Sequence, residues 1–190
     1  MIHQISTTTG YDRYPEIFRE CQLYFKDKVP KILSFGCSNG LEVKTLTEKY
    51  FTESKVVGVD INPDMILSCI ELKLNDKVSF FEIDKFTPEK FDLIFCMSVF
   101  CRWPQTAQLE DCSDEYPFSK FSEKLNDIDN MLNPEGLLVI YNSNFIFTDT
   151  NISKNYSIHK STFESGFVKK FTKDNKPYLE NYPHSIFIKN

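Results

Sequence analysis

Residues 31–42 read KILSFGCSNGLE, and this stretch decides the fold. A short apolar run ends at Gly36, a second glycine follows at Gly40, and a helical pattern starts near Leu41. Gly36 can make the sharp turn that ends a strand, and Gly40 lets a ligand or a neighbouring backbone come close. The first turn of a helix points free N–H groups toward the same space. The stretch therefore predicts a strand, a binding turn and a helix, a unit that many α/β proteins share.

The rest of the chain repeats this alternation of apolar runs and helical patterns. Four further runs are KVVGVD (55–60), KVSFFEID (77–84), FDLIFCMS (91–98) and GLLVIYN (136–142). Continuous apolar runs of this length are typical of parallel strands buried on both faces. Asn62 and Pro63 look like a helix cap followed by a first helical residue, and Gly166–Phe171 and Ser185–Ile188 look like two late strands. We predict an α/β fold: an N-terminal helix, five βα-type units with helices on both faces of a parallel-type sheet, and a C-terminal antiparallel hairpin.

Acidic residues end two of the predicted strands. Asp60 lies about 20 residues beyond the glycine turn, where a carboxylate can accept both hydroxyls of a ribose. Ile61 can lie against an adenine face, and Asp84 can accept the adenine amino group. Taken singly, each acid is equally an ordinary solvated strand-end or turn residue. Because ligands of parallel sheets bind beyond the carboxyl ends of the strands, the turn and the two acids together predict an adenosine pocket.

Several other functions fit the sequence poorly. A dinucleotide site would need glycine at 36, 38 and 41, but the chain has Ser38 and Leu41, and no phosphate-binding Gly-Lys-Ser/Thr motif occurs. The net charge of −5 without a stripe of basic residues disfavours nucleic acid as a partner. The chain also lacks a long uncharged apolar run, so we expect no membrane partner. The six cysteines form no CxxC pair, which predicts reduced structural thiols in a cytoplasmic protein and no metal site.

The ordered stretches ILSFGCSNG, VVGVDIN, FFEID, FDLIFCMSVF and LNPEGLLVIYN, within residues 31–142, resemble the motifs of class I S-adenosylmethionine-dependent methyltransferases, whose sheet is Rossmann-like. Within that class the pattern is most similar to the catalytic core of chemotaxis-receptor methyltransferases. Three features carry this similarity: the spacing of Gly36, Gly40 and Glu42, the segment 94–100, and the Thr-rich stretch 7–13. We therefore expect one methyltransferase domain over 1–190, with an N-terminal helix and lid (1–30), a cofactor-binding core (31–142) and a terminal hairpin region (143–190).

The resemblance implies S-adenosylmethionine as cofactor and S-adenosylhomocysteine as product. It further implies that Arg13 pairs with the methionine carboxylate and that Glu42 helps to hold the amino group. From the residues alone, Arg13 is a cation at the start of a helix. The residues predicted to bind the cofactor are Arg13, Gly36, Cys37, Ser38, Gly40, Glu42, Asp60, Ile61, Asp84 and Ser98.

This chain departs from the chemotaxis enzymes in ways that leave its substrate open. From these 190 residues we expect neither their preceding helical domain nor their receptor-docking insertion. Met97-Ser98 replaces an Arg-Asn pair, and Ser34 occupies the position of an acid that opens the first motif of many methyltransferases. We therefore expect this chain to share the fold and the cofactor of the chemotaxis enzymes, but we do not infer their glutamate substrate.

Methyl transfer from a sulfonium is an in-line displacement that depends mainly on alignment, so no catalytic base has to be present and none is assigned. We expect acceptor contacts from residues 1–14, 99–118 and 143–160. An acidic cluster at Glu110, Asp111, Asp114 and Glu115 forms either a solvated lid or an attraction for an amine substrate. The candidate acceptor-site residues are Arg102, Trp103 (alternatively a core residue), Asn142 and His159 (a general base or a surface residue).

Three functions remain open at this stage. The first is methyl transfer to a small molecule, and the second is methylation of protein carboxyl groups. The third is non-catalytic adenosine binding by a protein that retains the fold. The oligomeric state is open as well.

Overall fold

The computed structural model describes residues 3–159 and 164–190. The chain divides into two compact units. The first unit is Ser6–Phe95, and the second comprises Cys96–Asn190 together with the N-terminal residues up to Ile5.

The first unit contains three helices and four parallel strands. Helix α1 (Pro15–Phe25) precedes β1 (Ile32–Phe35), and α2 (Leu41–Thr45) continues into one turn of wider π-type helix, Leu46–Tyr50. Then follow β2 (Val56–Asp60), α3 (Pro63–Glu71), β3 (Val78–Glu82) and β4 (Phe91–Met97), whose last two residues already belong to the second unit. The strand order is β3-β2-β1-β4, with Ile32 opposite both Val56 and Leu93. The core of this unit includes Phe18, whose ring packs edge-on against Phe95.

Two details of this unit differ from the sequence prediction. Residues of β3 are mostly half-exposed, because β3 pairs with β2 alone and forms the edge of the sheet. The expected helix between β3 and β4 is absent, and only a 3-10 turn, Ile83–Lys85, links them. That link is short and contains Pro88, which cannot donate a helical hydrogen bond. The five predicted βα-type units are therefore not all present.

The second unit contains the end of β4 and three further strands. Helix α4 (Phe118–Met131) runs directly into β5 (Leu132–Tyr141), which starts earlier than predicted, and β6 (Tyr156–Ile158) and β7 (Ile186–Lys189) complete the set. The strand order here is β4-β5-β7-β6, with β7 antiparallel to both of its neighbours. One face of α4 is buried through Phe121, Leu125 and Ile128, as its helical periodicity predicts. The seven strands confirm the predicted Rossmann-like α/β sheet and its C-terminal antiparallel pair.

The first strand of that antiparallel pair was predicted at the wrong place. It is Tyr156–Ile158, whereas Gly166–Phe171 forms no strand. The amides of Phe167 and Val168 instead donate to the side-chain oxygen of Asn142, and the amide of Phe171 donates to the carbonyl of Asn144. These donors hold a loop, so they do not contribute to a strand ladder.

Two further features concern the whole described chain. All six cysteines lie in the described residues, where none takes part in a disulfide and all are buried. Within residues 3–159 and 164–190, no helix combines the length and the apolar character that crossing a membrane requires.

Candidate functional site

The glycine turn after β1 is built from backbone in the left-handed region. Gly36, Ser38 and Gly40 have φ angles of +76°, +50° and +81°. The amides of Gly36 and Cys37 both donate to the carbonyl of Val59, at 2.8 and 2.9 Å. The turn is therefore fixed to the end of β2, and Gly36 occupies a conformation that side chains with a Cβ adopt with strain.

Asp60, the last residue of β2, holds the same turn from the side. Its Oδ2 accepts from the amide of Ser38 at 2.8 Å, and its Oδ1 accepts from the amide of Asn62 at 2.9 Å. The side chain is half-buried. Because each carboxylate oxygen has about two acceptor positions, both oxygens keep capacity for a further donor such as a sugar hydroxyl.

Gly40 is required mainly for packing of the protein on itself. A Cβ at this position would lie 2.9 Å from Leu72 Cδ1 and 3.0 Å from the thiol sulfur of Cys69. The Cys37 side chain is buried nearby, and its hydrogen bond with Cys69 together with burial raises the pKa of the Cys37 thiol. The Cys37 side chain therefore belongs to the core, so any contact of Cys37 with a ligand would come from its backbone.

Glu42, in the first turn of α2, is a carboxyl group in a poorly solvated position. The Ser34 hydroxyl donates to its Oε1 at 2.7 Å. Burial raises the pKa of Glu42 to about 7, against the opposing effects of the Ser34 hydrogen bond and the positive charge of Arg13. The two residues that the resemblance assigns to the charged end of the cofactor thus already interact electrostatically with each other.

The N-terminal stretch 7–13 lies against the glycine turn and α2. The Ser38 hydroxyl donates to the carbonyl of Thr7 at 2.7 Å, and the amide of Asp12 donates to Thr45 Oγ1 at 2.8 Å. The Asp12 carboxylate is bound by Lys49 and by the hydroxyl of Tyr50. Arg13 is exposed, and its guanidinium donates to the carbonyl of Thr8 at 2.9 Å. This stretch is therefore held at Thr7 and at Asp12, with the residues between them at the surface.

Ile61 and Asp84 lie beyond the ends of neighbouring strands. Ile61 follows Asp60 and is 41% exposed, which leaves its apolar side chain open to a flat ligand. Asp60 is in register with Glu82 on β3, so the exposed Asp84 comes two residues further along the same edge. The structure thus brings the turn and both acids to one edge of the first unit.

Ser98 lies in the second unit, just after β4. Its backbone φ is +58°, and its backbone amide donates to the carbonyl of Tyr141. Its hydroxyl accepts from the side-chain nitrogen (Nδ2) of Asn142 at 3.1 Å. Asn142 is buried, and its side-chain oxygen accepts from the amides of Phe167 and Val168. Asn142 therefore connects the ends of β4 and β5 with the loop around Phe167.

The remaining acceptor-site candidates also lie in the second unit. Arg102 is half-buried beside the ring of Tyr116, and the exposed Trp103 is not a core residue. His159 follows β6, where its amide donates to the carbonyl of Ile186. Because β5 and β7 lie between β6 and β4, His159 is three strands away from Ser98 in this sheet.

The acidic cluster is largely paired within this unit. Asp111 contacts Lys176 at 2.8 Å, Glu110 contacts Lys169 at 2.9 Å, and Glu115 lies 3.8 Å from Arg102. Because three of the four carboxylates lie beside a cation of the same unit, these contacts favour a solvated loop over a cluster that attracts an amine substrate.

Sequence reasoning missed several contributors. Thr7 and Thr45 anchor the N-terminal stretch, and Phe167 contacts Trp103 with ring centroids 5.7 Å apart. No local pattern marks these residues, because their partners are distant in the sequence. Among the described residues, no group of three or more His, Cys, Asp or Glu is arranged to hold a metal ion.

Comparison with known proteins identifies one family model and several solved structures with a similar fold. Residues 26–186 match the family model described as a methyltransferase domain. A methyltransferase from Pyrococcus furiosus is 15% identical, with a TM-score of 0.54 over 90% of this chain and 82% of that one. Among proteins of established function, no significant sequence match was found.

Two further solved structures are similar over part of their length. The plantazolicin methyltransferase BpumL, solved with SAH, is 20% identical with a TM-score of 0.46, over 66% of this chain and 44% of that one. CalS10, an amino pentose methyltransferase from Micromonospora echinaspora solved with SAM, is 18% identical with a TM-score of 0.48, over 70% and 50%. The chain thus spans less than half the length of BpumL. None of these comparisons supports a particular closeness to chemotaxis-receptor methyltransferases.

Proposed function

The chain belongs to the class I S-adenosylmethionine-dependent methyltransferases, and on this premise we propose that its first unit holds the cofactor and that the acceptor is a small molecule. In this proposal Asp60 binds the ribose hydroxyls, Ile61 lies against the adenine, and Asp84 accepts the adenine amino group. The backbone of Gly36, Cys37, Ser38 and Gly40 provides the close approach beside the ribose and the methionine portion.

The observation that carries the proposal is the arrangement of Asp60 around the glycine turn. Its two oxygens already fix the amides of Ser38 and Asn62, at 2.8 and 2.9 Å. The carboxylate is thereby held in one orientation at the strand end, with acceptor capacity left for two vicinal hydroxyls.

The opposite charges of Arg13 and Glu42 suit an amino-acid group. A methionine portion carries a carboxylate and an ammonium, which the guanidinium of Arg13 and the carboxylate of Glu42 complement. The positive charge of Arg13 lowers the pKa of Glu42, so the two groups are close enough to interact. Charge-assisted hydrogen bonds of this kind are roughly twice as strong as neutral ones.

The cofactor supplies an activated methyl group, and the protein has to align it with the acceptor and exclude water. This requirement is consistent with a site that has no nucleophile–base pair. A small-molecule acceptor is supported by the negative net charge of −5, which disfavours nucleic acids. Ser98 remains a candidate contact, and no catalytic base is assigned.

Calorimetric titration with S-adenosylmethionine and S-adenosylhomocysteine tests the cofactor part of the proposal. We expect saturable binding of both, and an absence of binding of either at millimolar ligand would refute the cofactor part of the proposal. The acceptor part is tested by incubating the purified protein and a methyl-labelled cofactor with the low-molecular-mass fraction or with the protein fraction of a cell extract. Label should enter the low-molecular-mass fraction, whereas label only in protein would favour carboxyl methylation of a protein.

A further inference from the structure

Two aromatic side chains in the second unit are exposed and in contact. Trp103 is 50% exposed and Phe167 is 67% exposed. Their ring centroids lie 5.7 Å apart with an interplanar angle of 84°, an edge-to-face pair. A single exposed apolar residue is ordinary, but two exposed aromatic residues in contact form an apolar patch, and such patches often mark ligand-binding or interaction sites.

The position of Phe167 is fixed by buried polar contacts. The side-chain oxygen of Asn142 accepts from the amides of Phe167 and Val168 at 3.1 and 3.2 Å, and the Asn142 amide group donates to Ser98. Asn142 itself is only 3% exposed. The loop that carries Phe167 is therefore connected by hydrogen bonds through Asn142 to the ends of β4 and β5.

Gly166 makes this attachment possible. It has a φ of +101°, and a Cβ there would lie 2.5 Å from the Cα of Asn142. Only glycine fits this close approach, so the backbone next to Phe167 is built to bring the ring to this place. Most of the Phe167 ring surface stays exposed, so this placement contributes less to folding than burial of the ring in the core would.

The pair also lies where ligands of this fold class bind. Trp103 follows β4 and Asn142 follows β5, and these strands are neighbours. Ligands of open α/β sheets occupy the space beyond the carboxyl ends of such strands. Both residues keep at least half of their surface exposed, and a flat ring can stack on this exposed aromatic surface in the geometry that aromatic groups prefer.

We propose that Trp103 and Phe167 form the acceptor-recognition surface and that the methyl acceptor contains a planar aromatic or heteroaromatic ring. This inference rests on the proposed function, and it narrows the acceptor from small molecules in general to one chemical class. Asn142 and Gly166 act as positioning residues for Phe167. The surface selects the ring by stacking, which an aliphatic group of equal size cannot reproduce.

Trp103 is the only tryptophan of the chain, so its fluorescence reports directly on this surface. The probes are benzamide and cyclohexanecarboxamide, which have the same polar group and similar size but differ in the ring. We expect benzamide to change Trp103 emission saturably, with an affinity at least severalfold above that of cyclohexanecarboxamide. Phe167→Ala should weaken benzamide binding about twofold to tenfold, the range for one aromatic contact, and Phe167→Tyr should retain it.

The matched control is Leu179→Ala, which removes an apolar side chain that is 92% exposed in the same unit and should leave benzamide affinity unchanged. Equal affinity for the two probes, or no effect of Phe167→Ala, would overturn the proposal. Emission that shifts with protein concentration alone would also overturn it, because a second copy would then cover the pair. A failure of the aromatic surface can be distinguished from a failure of the cofactor site by calorimetry with S-adenosylhomocysteine. Phe167→Ala should leave the affinity for S-adenosylhomocysteine unchanged, whether or not it weakens benzamide binding.

Discussion

The backbone amide of Ser38 donates a 2.8 Å hydrogen bond to Oδ2 of Asp60, so the residue proposed to bind the ribose also supports the glycine turn. In the proposed cofactor site, this carboxylate at the end of β2 links the shape of the turn after β1 to ribose binding. The same oxygen atoms must serve both purposes. Any change at Asp60 is therefore expected to alter affinity and stability together.

Asp60→Ala should weaken S-adenosylhomocysteine binding by roughly 1.5–3 kcal/mol through the loss of charge-assisted hydrogen bonds. It should also lower the free energy of unfolding by about 1–3 kcal/mol, because the amides of Ser38 and Asn62 lose their acceptor. Calorimetry and urea unfolding measure the two effects. The control is Glu71→Ala, an exposed residue at the end of α3, which should change neither. If affinity is unchanged in a folded Asp60→Ala protein, Asp60 does not contact the cofactor.

Glu42 should make both stability and affinity depend on pH. Burial raises its pKa from 4.5 to about 7, so the folded protein binds this proton more tightly than the unfolded chain does. The contribution of Glu42 to stability is therefore complete below about pH 4.5 and is lost as the pH rises through about 7. Binding of a ligand ammonium needs the charged carboxylate, so affinity for S-adenosylhomocysteine should increase between about pH 6 and 8.

Glu42→Gln separates these two effects. The variant should bind S-adenosylhomocysteine more weakly at about pH 8 and should lose the increase in affinity between about pH 6 and 8. Its thermal stability should also vary less with pH than that of the parent protein. Calorimetry and thermal unfolding at three pH values test this, with the exposed Glu71→Gln as control. An unaltered pH dependence in Glu42→Gln would show that another group titrates.

Gly36→Val should damage folding and binding together. The φ of +76° at Gly36 lies in the left-handed region, which costs a residue with a Cβ roughly 1–2 kcal/mol, and β-branching adds to the strain. The added side chain would also occupy space beside the proposed ribose position. The control is Glu71→Ala, a substitution at an exposed position at the end of α3, which should change neither folding nor binding. Normal S-adenosylhomocysteine binding by Gly36→Val would place the pocket on another loop.

The N-terminal stretch should close over the bound cofactor. Ser38 and Thr45 hold the two ends of this stretch at Thr7 and Asp12, and between them the carbonyl of Thr8 accepts from the exposed Arg13. We expect their amides to exchange hydrogen more slowly once S-adenosylhomocysteine is added, while exchange in α4 stays the same. Arg13→Ala should lower affinity by about 1.5–3 kcal/mol, the range for a hydrogen bond to a charged group. Equally fast exchange with and without ligand would exclude a closing segment.

The sequence predicted the elements that depend on local patterns. The run before Gly36 is a strand, and Asn62 caps α3 by accepting from the amide of Asp64 at 3.0 Å, as its position before Pro63 indicates. Apolar runs reveal strands but not their place in a sheet, so the exposed edge position of β3 was not predictable. The loop at Gly166 was mistaken for a strand because its partner, Asn142, is distant in the sequence.

The same distinction applies to the candidate site. The glycine turn and Asp60 follow a spacing that can be read from the chain, and the structure joins them through Ser38. The link between Thr7 and Ser38 and the pairing of Trp103 with Phe167 arise from tertiary contacts. The family resemblance supplied Arg13 and Glu42, whose roles toward the cofactor remain predictions.

Backbone amide shifts in an NMR titration with S-adenosylhomocysteine test most directly whether the cofactor binds at the edge formed by the glycine turn and the two acids. We expect large, saturable shifts at Gly36, Ser38, Asp60, Ile61 and Asp84, with small shifts in the exposed end of α3 around Glu71. Saturable binding whose largest shifts lie elsewhere, with those five amides unmoved, would contradict it.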